Sequence, residues 1–306
     1  MKKAALAIAV AAAVMLLAVV GASSATPPQN ATCSQVTQSF SGTAHDLTVP
    51  PDGFCTIDHA TITHDLIVQH DSGSIVSNST IGNDARIADN AGADVSMSTI
   101  QHDLQYGRNS GGQITNSTIG HDLTGGPGQE SSLQLANATV GHDLVAIGPS
   151  TVQTGGTLTV TGPVHVGRDF IISGSPGPPD TSAFVFDGIC DLTVGHDLRI
   201  TNRWVTLGIG LGGGGDHCPV SVGHDLVFSG NQALNGFFGP SALEVRDVTV
   251  GHNLTVTGNR ATGFLEVANN TARGDATCRN NNPPAAASDE PGDGPNTVGG
   301  KNNGCP

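Results

Sequence analysis

The hexapeptide Thr118-Ile119-Gly120-His121-Asp122-Leu123 is one copy of a motif that recurs along most of the 306-residue chain. Ten copies align on the histidine; the first five lie 19 residues apart, and the last three steps are 28 residues each. A sequence that repeats at a regular period indicates a repeat architecture, in which each copy builds one structural unit. This histidine column consists of His45, His64, Asn83, His102, His121, His142, Arg168, His196, His224 and His252.

The residues on either side of the histidine alternate between apolar and polar, as in a β-strand with one buried face. Two positions before it, nine of the ten copies have Ile or Val, and two positions after it eight have Leu. Three positions before it, seven copies have Thr, which favours strands and suits a solvent-facing position. The apolar columns are separated by even numbers of residues. This period of two predicts strands rather than helices.

A 19-residue unit cannot bury an apolar face alone, but it can do so when it is stacked on copies of itself. Adjacent copies would pair at about 4.8 Å, so that equivalent residues form ladders along the stack. We therefore predict an all-β fold, namely a single-stranded, right-handed parallel β-helix of about ten coils with capped ends. The alternative is an irregular all-β sandwich, which does not explain a tetrapeptide that recurs in phase.

The composition divides the chain into four segments. We predict a secretory signal peptide over 1–25, because two lysines precede an apolar run and a small-residue cleavage site. An uncleaved membrane anchor is disfavoured, since the run is short for a span and a cleavage signal follows it. The other predicted segments are an N-terminal cap over 26–40, the β-helix over 41–272, and an irregular tail over 273–306 that is rich in Asn, Pro and Gly.

The net charge of −14 argues against nucleic acid or an anionic membrane as a partner. The signal peptide predicts a secreted, extracellular protein; its partner is unknown from the sequence, and an extracellular glycan or protein is the candidate. Nothing in the sequence predicts a cofactor.

The six cysteines contain no Cys-x-x-Cys pair, and in an exported chain they indicate disulfides. Cys190 and Cys218 each stand six residues before a histidine of the column. Equivalent positions of adjacent coils would lie about 4.8 Å apart, within the range of a disulfide, so we predict this bond. The competing pairing joins one of the two to a terminal cysteine. The remaining cysteines bracket the first coil, Cys33 with Cys55, and close the tail, Cys278 with Cys305.

In three sequence features the chain resembles a group of secreted, largely uncharacterised actinobacterial β-helix repeat proteins. They are the repeat Thr-Val-Gly-His-Asp-Leu-x-Val, the segment Val49–Cys55, and the ending Asn296–Lys301 followed by Cys305. The chain is more distantly similar to bactofilin-type repeats, which polymerise end to end. The resemblance covers most of the chain after residue 25 and implies the fold and a secreted setting, but no activity. Many of those proteins have Val-Gly-Gly-Asn where this chain has Val-Gly-His-Asp, so the histidine column departs from their pattern.

The histidine column and the Asp column beside it are the obvious candidates for chemistry. A His next to a carboxylate is an acid–base pair, and the two can also bind a divalent metal. A pair that recurs in every coil is more typical of a ladder or turn requirement, however, and we predict no catalytic residue. The alternative is a metal array, for which the candidate ligands are His196, Asp197, His224 and Asp225.

The direction of these side chains stays open at this point. An unbroken strand would point His inward and Asp outward, whereas a corner at Gly-His-Asp would remove that constraint. Ionised Asp residues at about 4.8 Å spacing repel one another. Protonated His, water or bound cations must therefore relieve the Asp column.

From about residue 149 the coils become longer, and the extra residues fall at the same position of each coil. This predicts loops on one side of the stack. The predicted loops are Ser173–Ala183, Gly208–His217 and Ser229–Leu243. Trp204, Phe237 and Phe238 are conspicuous there because only 4% of the residues are aromatic. We predict a contact surface at these rings, the alternative being that they only cover the core. The chain is then a secreted, non-catalytic structural or interaction protein.

The enzymatic alternative is a carbohydrate-active β-helix, a polysaccharide lyase or hydrolase acting at the loop side. Such a site needs two or three carboxylates together on one outer face. The candidates match no motif; they are Asp187, Asp191, Arg199, Arg203, Asp216 and Glu244.

Overall fold

The computed structural model describes residues 27–33, 38–126, 132–147, 158–174, 186–206, 208–212, 218–233, 241–288 and 294–306. Within these ranges there are strands but no helix, and the strands pair in parallel. The predicted parallel β-helix is confirmed, because each side of a coil stacks on the same side of the next coil. None of the described segments forms an apolar helix of membrane-spanning length. The predicted signal peptide, 1–25, lies outside the described residues.

One side of the stack is a sheet of thirteen strands, which we call the first ladder. Its strands are Ala31–Thr32, Leu47–Val49, Leu66–Val68, Ala85–Ile87, Leu104–Tyr106, Leu123–Gly125, Leu144–Ile147, Phe170–Ser173, Leu198–Thr201, Leu226–Ser229, Leu254–Thr257, Ala276–Arg279 and Asn302–Asn303.

Two further sides form a second and a third ladder, joined at the start of the stack by the long strands Gln38–Ala44 and Phe54–Ile62. The second ladder continues through Gly73–Ser77, Gly92–Ser96, Gly112–Thr115, Leu133–Ala136, Leu158–Thr161, Phe186–Ile189, Gly208–Leu211, Ala242–Arg246 and Leu265–Ala268. The third continues through Thr80–Ile81, Thr99–Ile100, Thr118–Ile119, Thr139–Val140, Val164–Val166, Leu192–Val194, Val220–Val222, Val248–Val250, Thr271–Ala272 and Thr297–Val298.

The core lies between these ladders and is built from the predicted apolar columns. Ile119 and Leu123, two positions before and after His121, are fully buried, whereas Thr118 is exposed. Equivalent residues stack on one another in register, for example Ile119 on Ile100. The period of two in the sequence therefore reports which face of each strand is buried.

The stack extends beyond the predicted bounds of 41–272. The predicted cap contains the strand Ala31–Thr32, which pairs with Leu47–Val49. Within the predicted tail, 273–306, the strands Ala276–Arg279, Thr297–Val298 and Asn302–Asn303 continue the ladders. The physical reason is that strand pairing uses backbone groups, and a terminal coil needs few apolar side chains to continue it.

Three disulfides tie adjacent coils together. The Cys190–Cys218 bond is confirmed, with 5.0 Å between its Cα atoms. The bonds Cys33–Cys55 and Cys278–Cys305 are also present, with Cα separations of 6.1 and 4.8 Å. The competing pairing with a terminal cysteine is therefore wrong.

The long coils contain strands that the sequence did not predict. Gly208–Leu211 belongs to the second ladder and pairs with Ala242–Arg246, so the loop prediction is wrong at these residues. The strand also has an apolar contribution, because Ile209 and Leu211 are buried in the core. Among the described residues, a fourth, short ladder consists of Trp204–Val205, Gln232–Ala233 and Arg260–Ala261. The remaining parts of the predicted loops lie mostly outside the described residues.

Candidate functional site: the His-Asp corner

The Gly-His-Asp motif forms a corner of the stack, between the third and the first ladder. Ile119 ends a strand of the third ladder and Leu123 begins one of the first ladder. The bend between them lets both His121 and Asp122 lie on the outside, where their side chains are 45% and 33% exposed. The corner thus settles the direction that strand parity left open.

The motif glycine allows close packing between coils at positions such as 120, whereas Ala44, Thr63 and Gln101 occupy the same column in other coils. The described motif glycines do not have positive φ, as expected from the Thr at position 63 of the same column. A Cβ atom on Gly120 would instead lie 2.1 Å from the carbonyl oxygen of Gln101, which is far too close. The backbone of one corner therefore rests directly on the corner of the previous coil.

Each Asp of the column binds the corner of the next coil. Oδ1 of Asp122 accepts hydrogen bonds from the backbone N–H of Asp143 and from Nδ1 of His142, both at 3.0 Å. The column is therefore a carboxylate ladder that satisfies one backbone donor per coil. The same backbone bond is accepted by Asp46, Asp65, Asp84, Asp103, Asp143, Asp169, Asp197, Asp225, Asn253 and Asp275.

The histidine rings stack face to face along the corner. The centroids of His121 and His142 are 4.7 Å apart, and those of His196 and His224 are 4.8 Å apart, with interplanar angles of 10° and 4°. An ionised carboxylate has no hydrogen to donate, so Nδ1 must carry the proton in its bond to Asp. In the neutral ring Nε2 then keeps its lone pair, on the other side of the imidazole.

The two residues that replace His in the column preserve this hydrogen bond. Asn83 donates from Nδ2 to Oδ1 of Asp65 at 2.7 Å, and Arg168 donates from Nε to Oδ1 of Asp143 at 2.7 Å. What the column needs is therefore a donor to the carboxylate of the previous coil. This requirement supports the structural interpretation of the motif and shows how repulsion between the Asp residues is relieved.

At two positions of the Asp column the pKa is lowered although burial opposes the shift. Burial alone would raise the pKa of Asp143, but the guanidinium of Arg168 and the backbone N–H of Asp169 outweigh it and lower that pKa. The same balance lowers the pKa of Asp197, where burial is opposed by Arg199, the N–H of Asp225 and His224. Conversely, the bond to Asp84 is the main cause that raises the pKa of the His102 imidazole.

The structure brings the predicted metal candidates together. In the groups His196–Asp197–His224 and His224–Asp225–His252, one potential ligand atom from each residue lies within 4.8 Å of the others. Three more such groups stand at other coils. They are His45–Asp46–His64, His102–Asp103–His121 and His121–Asp122–His142.

The predicted contact surface is described only in part. Trp204 is half-buried and lies in the short fourth ladder, in register with Gln232 and Arg260. Phe237 and Phe238 lie outside the described residues. The sequence did not predict this ladder, since its strands are only two residues long.

The residues proposed for an enzymatic site are spread over different sides of the stack. Arg199 lies in the first ladder and donates to Asp197 at 2.7 Å, whereas Glu244 lies in the second ladder. Asp191 occupies a turn with φ of 50°, and Arg203 is buried. Position 187 is in a strand of the second ladder, and Asp216 lies outside the described residues.

Sequence reasoning missed an internal ladder of asparagines in the long coils. Asn259 is buried, accepts the N–H of Asn231 at 3.0 Å and donates to the carbonyl oxygen of Phe228 at 2.9 Å. Asn231 makes the equivalent bonds to Arg203 and Ile200. The signal was present, because Asn231 and Asn259 are 28 residues apart, the same step as the histidines.

Comparisons with known proteins gave no match, either to a family model, to a curated protein or to a solved structure.

Proposed function

We propose that the chain is a secreted, non-catalytic structural or interaction protein. One observation carries this proposal: the recurring His-Asp pairs, the most prominent ionisable groups, are used to join each coil to the next. A carboxylate that acts as a general acid or base must be available to a substrate. Here the Asp oxygens already accept backbone and side-chain hydrogen bonds, as Asp122 does from Asp143 and His142.

An extracellular location is supported by two features. Three disulfides within the structure fit an oxidising compartment, where such bonds form and persist. The composition of residues 1–25 is that of a cleavable export signal. We infer that the signal is removed and that the β-helix acts outside the cell.

The contact surface that we propose is the outward column of the fourth ladder, Trp204, Gln232 and Arg260. Their strand neighbours Val205, Ala233 and Ala261 are buried, so the alternation directs the first three residues away from the core. Trp and Arg are enriched at binding interfaces, because one offers a large rigid ring and the other several donors. The partner is a glycan or a protein of the cell exterior.

A glycan array on the protein without residues 1–25 tests this proposal, with Trp204→Ala compared in parallel. We expect binding that Trp204→Ala removes. Met97→Asn is the matched control: Met97 is 57% exposed and has φ of 47°, a conformation that Asn suits. It should leave binding unchanged.

The same preparation incubated with acidic polysaccharides tests the enzymatic alternative. Release of unsaturated or reducing ends that Asp191→Asn abolishes would refute the non-catalytic proposal. Equal binding by the wild type and Trp204→Ala would instead refute only the proposed surface.

A further inference from the structure

We propose that the stacked histidines of the corner bind divalent transition-metal ions through Nε2, with Zn²⁺ as the representative ion. The first proposed site is the stack of His102, His121 and His142. The second proposed site is the pair His196 and His224. This inference is independent of the proposed contact surface, which lies on the fourth ladder.

The first argument is that the Asp ladder prepares the imidazoles as ligands. Nδ1 of His102, His121 and His142 lies 2.8, 3.0 and 3.0 Å from an Asp oxygen of the previous coil. A carboxylate that receives Nδ1–H is the usual support of a metal-binding histidine, since it sets the tautomer and makes Nε2 more basic. The ladder therefore provides this support at each of these three rings.

The second argument is the spacing of the rings. The centroids of His102 and His121 are 5.0 Å apart with an interplanar angle of 7°, and those of His121 and His142 are 4.7 Å apart. Zinc–nitrogen bonds are about 2.0–2.1 Å long, so two nitrogens on one tetrahedral ion are about 3.4 Å apart. Two adjacent rings must consequently tilt so that their Nε2 atoms approach to about this distance, which is roughly 1.5 Å less than the ring spacing.

The third argument is that the rings have room for this movement. The side chains of His102, His121 and His142 are 52%, 45% and 35% exposed, and those of His196 and His224 are 52% and 44% exposed. Solvent can therefore reach them, and water can supply the remaining ligands of an open zinc site. Imidazole nitrogen selects Zn²⁺, Cu²⁺ or Ni²⁺ over Ca²⁺ and Mg²⁺, which prefer oxygen.

His252 is not included in the second site. Its Nδ1 lies 2.9 Å from both Asp225 Oδ1 and Asn253 Nδ2, so an acceptor and a donor compete for the same nitrogen. Its ring is also tilted by 23° relative to His224. The support that fixes the tautomer at the other rings is therefore disturbed here.

The chain contains its own control at position 83. Asn83 occupies the histidine column and donates to Asp65 as the histidines donate to their Asp residues, but it has no imidazole. His→Asn at another column position should thus keep the carboxylate bond and remove only the metal ligand. The reverse change, Asn83→His, should join His64 to His102 in one continuous stack.

Zinc titration of metal-free protein, with a chromophoric chelator as competitor, tests the proposal. We expect His121→Asn to weaken binding at the first site about tenfold or more, because the shared central ligand is lost. His224→Asn should remove the second site, the double variant should lose both, and Asn83→His should increase the capacity. His165→Asn, at a histidine outside the column, is the control and should change nothing.

A second readout identifies the ligand atom. Nitrogen-15 spectra of the histidines should show the zinc-dependent shift at Nε2 of His121 and not at Nδ1. Absence of zinc binding, binding that His121→Asn and His224→Asn leave unchanged, or coordination at Nδ1 would each overturn the proposal.

Discussion

Nδ1 of His142 lies 3.0 Å from Oδ1 of Asp122, which belongs to the previous coil. The same oxygen accepts the backbone N–H of Asp143, the neighbour of His142 in sequence. One carboxylate therefore holds both a side chain and the backbone of the next coil. This relationship explains why His and Asp recur together, although the side chains of His142 and Asp122 are both partly exposed.

Replacing Asp122 tests how much this bond contributes. Asp122→Ala removes the acceptor of two hydrogen bonds, and we expect the free energy of unfolding to fall by about 1–3 kcal/mol in urea titrations. Asp122→Asn is the matched control, because Asn253 in the same column accepts the N–H of Asp275 at 2.9 Å. The ladder interpretation fails if the two variants lose the same stability.

The ion pair of Arg168 and Asp143 predicts that the stability of the fold depends on pH in the acidic range. The pKa of Asp143 is lowered, so the ionised carboxylate stabilises the fold above its unfolded pKa of about 3.9. This contribution is lost as the pH falls through the lower, folded pKa. We expect wild type to melt at a higher temperature than Arg168→Ala at pH 6, and the difference to shrink below about pH 4. A difference that grows in acid would contradict the assigned sign.

The asparagine ladder predicts that replacing Asn259, a polar residue that is fully buried, lowers the stability. Asn259→Ala leaves the N–H of Asn231 and the carbonyl of Phe228 without their partner, and buried polar groups of this kind cost roughly 1–3 kcal/mol. Asn30→Ala, at an exposed position, should change the free energy of unfolding little. Chemical denaturation of both variants measures the contrast, and similar values would argue against the ladder.

The Cys190–Cys218 bond is expected to stabilise the long coils. Replacing both cysteines by Ser should lower the free energy of unfolding by roughly 3–4 kcal/mol, the loop-closure value for a separation of 28 residues. Peptide mapping without reduction should recover the two cysteines in one linked peptide. A free Cys190, or a link to Cys278, would show that the register of these coils is different.

Several features of the fold follow from particular residues in the sequence. Ile119 and Leu123 flank His121 with the same parity, and this parity alone predicts that both lie in the core, as they do. Cys190 and Cys218 occupy the same position in adjacent coils. This determines their pairing, because equivalent positions of adjacent coils must lie one strand spacing apart. The period carries this information since every coil repeats the same path.

Other features depend on how the coils pack. The sequence alone left open whether His121 points inward, and only the bend between two ladders turns it and Asp122 outward. The strand Asn302–Asn303 also escaped prediction, because side-chain composition reports burial, whereas a backbone edge can pair without apolar residues.

The sequence by itself therefore determined the parallel stack, its buried columns and the Cys190–Cys218 bond, because strict periodicity makes local pattern and long-range pairing the same information. Only the tertiary structure decided what the His-Asp column does. Oδ1 of the Asp residues in this column meets a donor that is 18 to 28 residues further along the chain. Such a contact forms only when the next coil packs against the corner.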